Sequence, residues 1–157
     1  MDILQALQDS SPASALRGAT TLYPLLNAAH ILSIGLIVGA IGTLDARILG
    51  LFRSFALGQL APPLSRVAAV GVISAILTGV IIVSVQPVAY VKNPAFLLKL
   101  ALAGLAVLNA VMLHNRLAWH DALESGEAGI SVKIHAAASL CLWTMAVVAG
   151  RWIAFVE

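Results

Sequence analysis

Four stretches of this chain, residues 22–44, 67–88, 95–114 and 134–155, are each apolar and long enough to cross about 30 Å of hydrocarbon at about 1.5 Å per residue. Hydrocarbon offers no water to pair with backbone N–H and C=O groups, so a spanning segment must be a helix or part of a closed barrel. Four segments without alternating polarity are too few for a barrel. The expected fold is therefore an all-α integral membrane four-helix bundle, one transmembrane domain over residues 1–157. With 61% hydrophobic and 10% charged residues, the chain lacks the polar surface to cover a soluble globule. The lipid bilayer is its first partner, and nothing marks nucleic acid as another.

The punctuation between spans is polar and rich in turn formers. Residues 50–63 hold Arg53, Gly58 and the Pro62-Pro63 pair, residues 86–94 hold Pro87, Lys92 and Asn93-Pro94, and residues 125–131 read SGEAGIS. Each reads as a loop. Met1–Gln8 carries Asp2 and no Lys or Arg, unlike the basic start of a cleaved signal. Ile3, Leu4 and Leu7 fall on one face there, as in a short interfacial helix. Arg47, Arg53, Arg66, Arg116 and Lys133 flank one side of the membrane, against Arg17, Lys92, Lys99 and Arg151 on the other. That excess places the first group inside and both termini outside, periplasmic if the membrane is a bacterial inner membrane.

Small residues suggest where helices meet. Gly35 and Gly39 form a GxxxG in the first span, and Gly71, Ala75 and Gly79 repeat the spacing in the second. Such ridges let backbones approach closely, so the first and second spans are expected to pack through them, with a homodimer seam as the alternative. Cys141 in the fourth span reads as a small core residue.

Ionisable residues within membrane spans are costly and count as candidate sites for ions, protons or cofactors. His30 lies about 10 Å inside the first span, with Lys99 about 8 Å and Arg151 about 6 Å inside on the same side. Tyr23, Tyr90 and Trp152 form an aromatic rim for that half, and the two cations either snorkel to water or neutralise a cofactor propionate. Met145 is the one soft residue near His30's depth. His30 shares a stripe with Asn27, Ser33, Ile37, Ile41 and Asp45, which predicts that it faces the bundle interior.

The other histidines gather at the opposite side. His114 ends the third span, His120 follows it and His135 begins the fourth. Counted from the turn at Gly126–Gly129, His120 and His135 lie at matching depth, about 8 Å, and His114 about 15 Å. Paired imidazoles from different helices are what a b-type haem requires. The expected cofactor is haem b, with His30, His114 and His135 as candidate ligands, His120 in reserve, and Lys99 and Arg151 as candidate cofactor contacts. The function expected from this set is electron transfer, exchanging electrons with quinone or a redox partner protein. The alternative is a non-redox membrane protein for a small solute or metal ion, or a structural subunit. No nucleophile–base set, P-loop, HExxH or CxxC motif is present, so no autonomous catalytic site is expected. Asp45 and Arg47, two residues apart on a helix, point in different directions and are not expected to pair.

The strings LYPLLNAAHILSIGLIVGAIGTLDARILG, LTGV, YVKNPAFLLKL, LNAVMLHNR and SLCLWTMAVVAGRWIAF resemble a group of small bacterial four-helix inner-membrane proteins. More distantly they are similar to the membrane domain of copper-resistance D proteins. The resemblance implies a four-helix inner-membrane fold and makes His30, Asp45, Arg47, Lys99, Asn109 and Arg151 its motif-bearing positions. Met1, Met112 and Met145 form no methionine cluster that would offer a soft copper path.

Overall fold

A computed structural model describes Gln5 and residues 21–156, so the expected interfacial helix at Ile3, Leu4 and Leu7 lies outside the described residues. Among those described there are six α-helices, one 3₁₀ turn and no strand. The order is α1 (Leu22–Leu49), α2 (Leu57–Val85), α3 (Pro87–Lys92), α4 (Pro94–His114), α5 (Leu117–Ser125) and α6 (Ile130–Trp152), with the 3₁₀ turn at Ile153–Phe155. The helices α1, α2, α4 and the α6 region are long and apolar enough to cross a membrane.

The spans form an open arc rather than a closed square. α1 packs on α2 and on α6, and α6 packs on α4, but no Cα of α2 comes within 8 Å of one in α4. The tightest packing lies at the end of the arc where α5 closes it: Leu44, Ile48, Leu57, Ala61, Leu113, Trp119, Ala122, Val132 and Ala136 form one buried cluster. Outside the bundle the side chains are those of a surface meant for lipid, with Leu32 71%, Val80 65% and Ile134 62% exposed.

Three boundaries differ from the sequence expectation: within residues 86–94, read as a loop, Pro87–Lys92 form the short helix α3, which Pro87 opens without needing its missing N–H. α2 begins at Leu57, so Pro62 and Pro63 lie within it rather than in a loop. Each proline removes one backbone donor from a helix near its start, a cost of about 3 kcal/mol or more in a helix interior. Burial of Leu57 and Ala61, 0% and 1% exposed, works against that cost. Between α4 and α6 the chain folds an extra helix, α5, against the start of α2; a Cβ on Gly58 would sit 2.7 Å from the Leu123 carbonyl oxygen.

Loop carbonyls hold this end together. Gly126 closes α5 with φ 76°, a left-handed conformation that glycine adopts without a Cβ clash. Its carbonyl accepts from Arg47 Nη2 at 3.3 Å, while Arg47 Nε donates to the Phe55 carbonyl at 2.7 Å. Arg47 thus ties two loops and is itself only 8% exposed. Asp45 turns instead toward Ser139 of α6, so the two charged neighbours point apart as expected. At the far end, Tyr90 of α3 stacks near Phe96 and shares a hydrogen bond with Tyr23; burial, and then Tyr23, push its hydroxyl up to about 12.

The glycine ridges behave unequally. A Cβ on Gly71 would meet Ile37 Cγ1 at 2.9 Å and the Ser33 carbonyl oxygen at 3.0 Å, and one on Gly79 would meet His30 Cε1 at 3.2 Å. α2 therefore does lay its small residues against α1. Gly35 and Gly39 do not reciprocate: both are exposed, with nothing within 4 Å of a built Cβ. The expectation that α1 packs on α2 through its own GxxxG is corrected, because α1 meets α2 through Ser33 and Ile37, on another face. Gly71→Ala is expected to lower stability by about 1–3 kcal/mol. Gly39→Ala is expected to be neutral or to gain the ~1 kcal/mol of helix propensity. Thermal unfolding of the two variants in the same detergent checks this, and equal losses would contradict the packing.

Candidate functional site

Between α2 and α4, where the arc stays open, lies a cavity of about 540 Å³. Its walls are apolar residues of α2 and α4, including Leu64, Val72 and Val107, and its rim includes Ile73, 59% exposed, and Val111, 51% exposed. α1 and α6 make the floor, where Ile41, Leu44 and Ile48 of α1 sit beside four polar residues. Asp45 comes from α1, and His135, Ser139 and Trp143 come from α6. The spacing of four residues puts the α6 residues in a single stripe, about 6 Å of axial rise between successive members.

One pair on this floor is fully engaged. His135 Nδ1 and Asn109 Oδ1 are 2.7 Å apart, and Asn109 Nδ2 donates to the His135 carbonyl at 3.0 Å. The second bond fixes which end of the amide faces the imidazole. Because Oδ1 can only accept, Nδ1 must carry the proton, and neutral His135 is left with a lone pair on Nε2.

Two floor atoms are buried and have no partner at all: Asp45 Oδ2 and Trp143 Nε1. Ser139 is within hydrogen-bonding reach of the Asp45 carboxyl, yet Oδ2 remains unmatched. Asp45 is 4% exposed. A buried polar group left without a hydrogen bond costs about 1–3 kcal/mol, and more when charged, and both of these atoms belong to residues that line the cavity.

The candidate residues separate into three groups. His114 and His135 line the same cavity. His114 bonds Ala110 O through Nδ1 at 2.8 Å, approaches Ser65 Oγ of α2 through Nε2 at 3.4 Å, and stacks on Trp119 with ring centroids 4.9 Å apart. Asn109, which His135 contacts, is five residues before His114 on α4, an axial offset of about 7.5 Å. His120 does not line the cavity that His135 lines. The chain turns at Asn115 and Arg116 before α5, and His120 is exposed there with Nδ1 on its own helix at Arg116 O, 3.1 Å.

The third group occupies the other half of the membrane. His30 faces the bundle interior as expected, half-buried, with Nδ1 2.8 Å from Thr78 Oγ1. Thr78 sends its own proton to Ser74 O at 2.7 Å, so its oxygen accepts from His30. Met145 is 47% exposed to lipid and offers His30 no axial partner. Lys99 lays its methylenes along Gly150, and Arg151 is exposed with its guanidinium 4.8 Å over the Phe155 ring. Neither lines the cavity. Asn27 is exposed rather than interior, and Cys141 is exposed rather than in the core. Among the described residues no group of three or more His, Cys, Asp or Glu side chains could hold a metal ion.

Trp143 is the residue that sequence reasoning passed over. Its signal was available in the i, i+4, i+8 spacing of His135, Ser139 and Trp143, a polar stripe within an apolar span. No protein family, no curated protein and no solved structure matches the chain.

Proposed function

We propose that this protein binds a small lipid-soluble molecule that enters from the bilayer through the gap between α2 and α4. The observation that carries this reading is a cavity of about 540 Å³ with a mainly apolar lining and two buried, unmatched polar atoms on residues that line it. A ligand with an apolar body and a polar head satisfies both surfaces at once. In this reading the end bearing Arg47, Arg53, Arg66, Arg116 and Lys133 faces the cytoplasm of a bacterial inner membrane, by its excess of basic residues.

Lipid access is measurable. In a Trp119→Phe, Trp152→Phe protein, Trp143 is the only indole left of the three tryptophans. Brominated acyl chains are expected to quench its fluorescence, and a saturating amphiphile such as decanol to protect it. An unquenched Trp143 would contradict entry from the membrane.

A second reading, haem b and electron transfer with quinone or a redox partner, is favoured by one observation. His114 and His135 line one cavity, and each has Nδ1 on a carbonyl oxygen, so Nε2, which on His114 lies 3.4 Å from Ser65 Oγ, is the nitrogen a metal would take; such outer hydrogen bonds commonly orient ligating imidazoles. When bound, haem would supply one-electron chemistry. Against it stand the axial offset of the two histidines and the distance of Lys99 and Arg151 from the cavity lining. A reduced-minus-oxidised spectrum of the purified protein decides. A sharp alpha band lost in His135→Ala establishes this reading, and its absence after haem supplementation removes it.

A further inference from the structure

The three floor groups differ in hydrogen-bonding sense, and the difference selects a head group. The Asn109 amide holds the proton of His135 on Nδ1, so in the neutral ring Nε2 is an acceptor. Asp45 Oδ2 has no partner, and in the ionised carboxylate it only accepts. Trp143 Nε1 only donates. They are ordered along the α6 stripe: His135 first, Asp45 at the level of Ser139 about one turn on, and Trp143 about one turn further.

Resting on the binding function proposed above, we infer that the ligand is a lipid-soluble hydroquinone, bound in preference to its quinone. One ring hydroxyl donates to Asp45 Oδ2 and accepts from Trp143 Nε1, filling both unmatched atoms with a single group. The hydroxyl across the ring lies about one helical turn away and donates to His135 Nε2. The flat ring fits between helices whose backbones do not touch, beside the indole of Trp143, and the tail leaves through the α2–α4 gap into lipid. A quinone has two acceptor oxygens and no donor. It can satisfy Trp143 and leaves an ionised Asp45 Oδ2 and the His135 Nε2 lone pair unmatched, so with Asp45 ionised the reduced form is preferred. An aliphatic alcohol supplies one hydroxyl and never reaches both ends of the stripe.

The test is equilibrium binding to the full chain in nanodiscs under argon, with a decyl-substituted hydroquinone, its monomethyl ethers, the matching quinone and decanol as probes. The hydroquinone is expected to bind at least tenfold more tightly than the quinone, with the ethers between. Asp45→Asn and His135→Phe are each expected to shrink that preference at least threefold, and Trp143→Phe to weaken both redox forms alike. Equal affinity of wild-type protein for hydroquinone and quinone overturns the inference, as does a preference undiminished in both the Asp45 and His135 variants. The ether series uses unaltered protein, so the inference stays testable if a variant does not fold. Binding of decanol at the cavity without hydroquinone selectivity would overturn this inference alone. Failure of every probe to bind would overturn the binding function with it.

Discussion

Arg47→Ala is expected to cost about 3 kcal/mol and to loosen both loops at its end of the bundle. The guanidinium makes two charge-assisted bonds, to Phe55 O at 2.7 Å and Gly126 O at 3.3 Å, and bonds to charged groups contribute about 1.5–3 kcal/mol each. Water reaches the Phe55 side, since that residue is 57% exposed, which holds the sum below its upper limit. The loop it secures contains Phe52 at φ 52°, a left-handed conformation unfavourable for a residue with a Cβ, so the contact also holds a backbone that would otherwise relax. Arg47→Lys is expected to recover less than half of the loss, because one ammonium on a flexible stem does not present the guanidinium's fork to two carbonyls on separate loops. Thermal unfolding in detergent, with proteolysis at residues 51–56 and 126–129, checks this. A loss below about 0.5 kcal/mol, typical of an unremarkable surface change, would contradict it.

The spans were legible because hydropathy and length act on one segment at a time. Their mutual arrangement was not, because it depends on which face each helix presents. GxxxG in α1 and the small-residue stripe in α2 look alike in sequence, yet Gly71 meets Ile37 and Gly39 meets nothing. The Pro62-Pro63 pair reads as a breaker, and only the burial of Leu57 and Ala61 makes a helix there worthwhile. Similarly, counting residues from the Gly126–Gly129 turn set His120 beside His135 only if α4 continued straight on, and the turn into α5 removes that premise.

At the site, ionisable residues are legible in an apolar span, but they make only half of the polar floor, Asp45 and His135 beside Ser139 and Trp143. His135 lines the cavity, His114 stands at its wall beside Ser65, and Asp45 contributes its unmatched oxygen. His30, an ionisable residue deep in an apolar span, has a local partner in Thr78. Trp143 has no charge and an ordinary place in an apolar span. Its importance comes from an N–H that finds no acceptor, which only three-dimensional packing reveals.

The central claim, a cavity kept for a lipid-soluble ligand, predicts an all-or-none difference between two proteins. Val72 of α2 lines the open side of the cavity, half-buried, so Val72→Trp would place an indole in the space between α2 and α4 without touching the floor. Filling such a site exchanges ligand for side chain, and the folded bundle is expected to survive because α2 and α4 make no close backbone contact to disturb. The decisive measurement is native mass spectrometry of wild-type and Val72→Trp protein released from membrane nanodiscs. The wild type is expected to carry one small lipid-soluble adduct per chain that the variant lacks. A wild-type chain that emerges bare, or a variant that carries the same adduct to the same extent, would contradict the account.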